Sequence, residues 1–134
     1  MSTQLRVLVI EDNSSWQAIY RDFLSALGYT VSVAVSKKEA LHKLKQSKFD
    51  AFVIDIALDL HDENNKDGLD ILIWLSKRRR ADRAIMNSSY FEREVRQEID
   101  LLCPCAVINK TDENRFDQLA KCLARAVTGI CRVK

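Results

Sequence analysis

No run of this chain is apolar for long enough to span a bilayer, and its first residues, Met1-Ser2-Thr3-Gln4, lack the apolar core of a signal peptide. A cytoplasmic protein with no membrane partner is expected. A large excess of charge is also absent. The 21 Lys and Arg against 19 Asp and Glu leave a net charge of +2, too little to point to direct nucleic-acid binding. Clustered soft metal ligands are missing too. Of the four cysteines only Cys103 and Cys105 are close, across Pro104, while Cys122 and Cys131 stand apart near the end. A zinc site needs more ligands at short spacing, so reduced, packed thiols are expected. The chain has no internal repeat and no low-complexity segment. Its 134 residues suit one domain, 1–134, with a core that needs neither disulfide nor structural metal.

What is present is a fivefold alternation. Short apolar runs rich in β-branched residues, read as buried strands, alternate with stretches whose apolar residues recur at helical spacing. The spacing predicts strands at 5–10, 30–35, 51–54, 84–87 and 106–108. Trp16, Ile19, Tyr20, Phe23, Leu24 and Leu27 mark the first helix, capped by Asn13 or Ser14 and ended by Gly28. Further helices are predicted over 37–46, from Gly68, near 92–102, and through Phe116, Leu119, Leu123 and Val127. This pattern is that of an α/β protein: a doubly wound, five-stranded parallel sheet with helices on both faces. The flavodoxin-like strand order 2-1-3-4-5 makes strands one and three neighbours at the point where ligands bind, beyond the carboxyl ends of the strands.

Polar residues stand at four of those ends: Glu11 and Asp12, Asp55, Ser88, and Lys110. Three clustered carboxylates repel one another, and a hard divalent cation, Mg²⁺ (or Mn²⁺), relieves the conflict through oxygen ligands. Asp55 is the candidate nucleophile, since a carboxylate that attacks phosphorus gives an aspartyl phosphate. The metal and Lys110 would neutralise charge on the phosphoryl group, and the Ser88 hydroxyl would donate to one of its oxygens. Each residue alone also has a plain structural use, as a helix cap, a turn or a surface residue. Their joint placement, in this order, carries the chemical reading.

With these residues in place the chain resembles the response-regulator receiver domains of two-component signalling over essentially its whole length. Glu11-Asp12 matches the family's acidic metal pair and Asp55 its phosphoacceptor. Ser88 matches the Thr/Ser after strand four, Lys110 the Lys after strand five, and Asp67-Gly68 the Asp/Asn-Gly that begins the third helix. The resemblance implies that the Ala57 backbone carbonyl also holds the metal. It implies a phosphohistidine donor, on a sensor histidine kinase or a phosphotransfer protein, and a phosphorylation-dependent shift between two states of the domain. Such a domain catalyses only its own phosphorylation and dephosphorylation, so it is not an enzyme acting on a separate metabolite. No DNA-binding or catalytic output follows the last helix, so the signal is expected to leave through protein contacts, unless the chain is a fragment. A homodimer is compatible with the sequence. Two other classes stay open: a pseudo-receiver that binds partners without phosphorylation, and an aspartyl-nucleophile phosphohydrolase. The latter usually carries Asp-x-Asp after the first strand, where this chain has Glu11-Asp12-Asn13.

The chain departs from the family pattern in several places. The segment 56–66 between Asp55 and Asp67-Gly68 is longer than usual, and Asp59 stands roughly where a proline is customary. A solvated loop is expected there, with His61 exposed on it. Residues 63–68 resemble a calcium loop faintly, but Trp74 occupies the position of the bidentate Glu, which excludes one. Val107 replaces the aromatic residue that usually serves as a rotameric switch, and Thr111 replaces the proline after the Lys. Output through the Tyr90-Phe91 loop, or weak conformational output, is therefore expected. His42 carries no partner signal. The basic run Lys77-Arg78-Arg79-Arg80, with Arg83, is read as complementing a helix C-terminus.

Overall fold

A computed structural model describes residues 4–56, 65–88 and 93–129. Strands β1 (Arg6–Ile10), β2 (Thr30–Ala34), β3 (Ala51–Asp55), β4 (Ala84–Ser88) and β5 (Ala106–Asn109) form one sheet in the order β2-β1-β3-β4-β5. Every pairing is parallel. Helices α1 (Ser14–Ala26), α2 (Lys37–Gln46), α3 (Asp67–Ser76) and α4 (Arg93–Leu102) lie in the four crossovers, and α5 (Arg115–Ala126) follows β5. The expected α/β flavodoxin-like architecture is the one observed.

Alternation along the central strands explains the two layers. Val7 and Val9 of β1 face a core shared with Tyr20 and Leu24 of α1 and Leu119 and Leu123 of α5. Leu8 and Ile10 face the opposite core, with Ala40 of α2, Leu72 of α3 and Ile99 of α4. A strand buried on both faces leaves little room for polar residues, which is why β1, β3 and β4 are apolar through their middles and turn polar only toward their ends. Each fully buried aliphatic side chain contributes roughly 1.5–3 kcal/mol.

Local signals set the helix ends. The Asn13 side chain accepts from Trp16 N at 3.0 Å, so Asn13 rather than Ser14 caps α1. Gly28 follows the helix with φ +98°, a left-handed conformation that glycine adopts without strain. Ser36 caps α2 by accepting from Glu39 N at 3.1 Å. Boundaries move by one residue from expectation: β1 starts at Arg6, β2 ends at Ala34, β3, β4 and β5 extend to Asp55, Ser88 and Asn109, and α3 starts one residue before Gly68. A short 3-10 turn at Ala81–Arg83 was not foreseen, because three residues carry no periodicity.

One expectation is corrected. Cys105 is disulfide-bonded, whereas Cys103 and Cys122 are free thiols. Bonding depends on which sulfurs the fold brings together, which spacing along the chain does not show. Among the described residues no helix is long and apolar enough to cross a membrane.

Candidate functional site

Backbone pairing continues past the ends of the strands and delivers the polar side chains. Glu11 N donates to Ala34 O at 3.0 Å, which carries Glu11 one residue beyond β1 with its side chain turned into the molecule. Lys110 N donates to Ser88 O at 2.9 Å and does the same beyond β5. In the register of β3 and β4, Asp55 lies opposite Asn87, so Ser88 stands one step further toward the carboxyl edge. Glu11, Asp55, Ser88 and Lys110 are all buried, and Asp12 is half-buried.

These side chains converge. Carboxylate oxygens of Glu11, Asp12 and Asp55 lie within 4.8 Å of one another. The Lys110 ammonium ion-pairs with Glu11 Oε1 and stands 3.5 Å from Asp55 Oδ2. Behind it, the Trp16 ring centroid is 5.0 Å from Lys110 Nζ, so the lysine's position is fixed by two carboxylates and an aromatic face. Gln17 Nε2 donates to Glu11 O at 2.7 Å and anchors the turn that follows β1.

Charge balance decides what the cluster can hold. Three carboxylates face one ammonium, and burial leaves little water to screen them. The Asp55 carboxyl is raised to about 8: burial pushes it up most, the Lys110 ammonium pulls it down, and the charges of Glu11 and Asp12 raise it further. An additional cation relieves this repulsion. Oxygen-only donors from short side chains suit a hard divalent ion such as Mg²⁺. Glu11, Asp12 and Asp55 form the acidic group that meets this test among the described residues.

The third helix is pressed against the end of β3. Gly68 N donates to Ile56 O at 2.8 Å, and a Cβ at Gly68 would overlap the Asp55 carbonyl oxygen and fall 2.6 Å from Ile56 Cα. The Asp67-Gly68 pair therefore has a steric meaning here: only glycine lets α3 begin so close to the end of β3.

Two participants were missed in the sequence. The Asn87 side-chain amide and the Tyr20 hydroxyl hydrogen-bond beneath the cluster, both buried. Burial, and secondarily the charge of Glu11, pushes the Tyr20 hydroxyl well above the usual tyrosine range, so it stays protonated. An asparagine inside an apolar strand was the signal available, because a buried amide needs a partner. Trp16 was read only as part of the apolar face of α1. The expected metal ligand Ala57, and with it His61, Tyr90 and Phe91, lie outside the described residues. Val107 is half-buried against the α3–α4 core.

Comparisons with known proteins bear on the fold and the family. The chain superposes on a CheY-like response regulator receiver domain protein from Methanospirillum hungatei JF-1 with a TM-score of 0.79 at 22% identity, covering 95% of this chain and 99% of that one. The signal receiver domain of a modulated diguanylate cyclase from Desulfovibrio desulfuricans G20 gives 0.78 at 22% identity, covering 96% and 97%. A response regulator from Burkholderia pseudomallei, solved with a phosphorylated aspartic acid, a calcium ion and citrate, gives 0.75 at 20% identity, covering 95% of this chain and 71% of that one. At these identities the likeness establishes the fold. No curated protein matches in sequence. The family model for the response regulator receiver domain matches residues 7–102, which hold both carboxylates after β1, Asp55 and Ser88. That match covers most of the chain, and the protein belongs to the response regulator receiver domain family of two-component signalling.

Proposed function

We propose that this receiver domain takes a phosphoryl group onto Asp55 from a phosphohistidine of a sensor kinase or phosphotransfer protein, and relays the signal through protein contacts. One observation carries the reading: the buried Asp55 carboxylate lies 3.5 Å from the Lys110 ammonium within a group of three carboxylates. In the transfer, an Asp55 oxygen forms the new bond to phosphorus while the phosphorus–nitrogen bond to the donor histidine breaks. The electron pair stays on the histidine nitrogen, which takes up a proton.

Each neighbouring side chain has a task in that step. Lys110 favours the ionised form of Asp55 against the burial that raises its carboxyl, and its ammonium balances charge on the incoming phosphoryl oxygens. The Ser88 hydroxyl, at the end of β4, donates to another of those oxygens. Glu11, Asp12 and Asp55 would hold Mg²⁺, which when bound supplies further positive charge to the phosphoryl group. Burial around Asp55 limits water at the acyl phosphate and slows its hydrolysis. The described residues do not include the Tyr90-Phe91 segment on which output was expected to depend. This reading makes the chain a cytoplasmic phosphoacceptor with no separate metabolite as substrate.

The test is intact mass after incubation with acetyl phosphate and Mg²⁺, for the native chain and for Asp55→Asn. The native chain gains one phosphoryl group and the variant gains none. No adduct under any condition would identify a pseudo-receiver, and steady turnover of small phosphate esters a phosphohydrolase.

A further inference from the structure

At the edge of the sheet opposite the acidic cluster, arginines gather around the turn between α3 and β4. Arg78, Arg79, Arg80 and Arg83 line an open cleft of about 450 Å³, floored by Thr128 and Gly129 beyond α5. The one carboxylate in its lining is Asp82. Three of the guanidinium groups are held in place by backbone carbonyls. Arg80 donates to Phe49 O, Arg83 Nη1 donates to Val127 O at 3.1 Å and to Asp50 O at 3.3 Å, and Arg78 Nη1 donates to Trp74 O at 3.1 Å. Bonds to carbonyls fix the planes of the guanidinium groups without cancelling their charge. Consistent with this, burial and the charge of Arg83 both lower the Arg80 pKa from its ordinary value. Gly129, with φ +75°, keeps the cleft open, since a Cβ there would sit 3.2 Å from Arg83 Nη2.

A second cleft adjoins the first and shares Arg78 and Arg80 with it. It measures about 440 Å³, and Leu44, Phe49 and Trp74 give it an apolar, partly aromatic floor with Lys45 and Lys48 at its rim. Arg78 lies over Trp74, its guanidinium carbon 3.5 Å from the ring centroid. Fixed arginines match phosphate oxygens in pairs, and a guanidinium stacked on an indole offers a flat cationic platform to a heteroaromatic ring. The two volumes together fall in the range of small-ligand sites, roughly 300–1,000 Å³.

We propose that these joined clefts bind a nucleoside polyphosphate, with its phosphates among Arg79, Arg80 and Arg83 and its base against Trp74 and Arg78. The site lies far from Asp55 along the strands and is independent of phosphoryl transfer there.

The test is titration calorimetry of the full chain with ATP, GTP, adenosine and inorganic tripolyphosphate. A nucleoside triphosphate binds, tripolyphosphate binds roughly tenfold more weakly, and adenosine alone gives no measurable heat. Arg78→Ala and Arg79→Ala, both at exposed positions and so compatible with folding, each weaken binding roughly tenfold. Lys77→Ala, outside both linings, and Asp55→Asn leave it unchanged. A shift of the Trp74 indole resonance accompanies saturation. The proposal is overturned by silence toward both nucleotides at millimolar concentration, by tripolyphosphate binding as tightly as the nucleotide, or by an equal loss in Lys77→Ala. Tighter binding of an oligoribonucleotide, growing with its length, would also overturn it in favour of a nucleic-acid surface.

Discussion

The Tyr20 hydroxyl and the Asn87 side-chain amide hydrogen-bond beneath the acidic cluster, joining α1 to the strand that ends in Ser88. Tyr20→Phe keeps the ring in the core but strips the amide of its buried partner. An unsatisfied buried group costs about 1–3 kcal/mol, and urea unfolding should show a loss of that size. Unchanged stability would mean that water replaces the hydroxyl.

Gly68→Ala places a methyl group where the Asp55 carbonyl already is, so α3 and the end of β3 must separate. A stability loss of about 1–3 kcal/mol is expected, together with slower phosphorylation by acetyl phosphate. Gly28→Ala is the useful contrast. A Cβ there meets nothing within 4 Å, so only the left-handed backbone resists, at a cost of about 1 kcal/mol and with no effect on phosphorylation.

Stability should depend on pH through Asp55. Its carboxyl is raised from 3.8 to about 8 in the folded chain, so between those values the folded state binds more protons than the unfolded one. The contribution of this group to stability is therefore present at low pH and is lost as pH rises from about 4 to 8. Asp55→Asn removes that slope. In metal-free buffer at pH 8 the variant should melt several degrees above the native chain, roughly 2–4 °C for each kcal/mol gained. Parallel melting curves for the two proteins across this range would remove Asp55 as the source.

Mg²⁺ should stabilise the native chain by mass action, by about 2.7 kcal/mol at a hundredfold excess over its dissociation constant. Glu11→Gln and Asp12→Asn each take one carboxylate from the group and should shrink the rise in Tm. Asp12→Asn in chelator should be no less stable than the native chain, because it removes a like charge, whereas Glu11→Gln should lose stability by breaking the buried ion pair to Lys110. A rise in Tm that survives both substitutions would place the ion elsewhere.

Strand ends were the most legible part of the sequence. Asp55, Ser88 and Lys110 each follow a run whose composition admits no other polar residue on that side, so strand identity and site position come from one signal. Contacts that join distant segments through a single atom pair were not legible. The Tyr20 hydroxyl bond and the carbonyls that Arg80 and Arg83 reach depend on how α1, the start of β3 and the end of α5 seat against one another. The basic run shows the difference well. Its residues do have a structural use, but they tie down the starts of β3 and the end of α5 rather than only the C-terminus of α3.

The ion pair between Glu11 and Lys110 spans 99 positions of the chain. The lysine is translated long after the first two carboxylates, and it reaches them only when the last strand has docked at the far side of β4. An incomplete chain, still on the ribosome or cut short before β5, holds its acidic residues without their counter-charge. Under the proposed function, competence to accept a phosphoryl group arrives with the docking of β5, and copies cut short before it stay silent toward the donor.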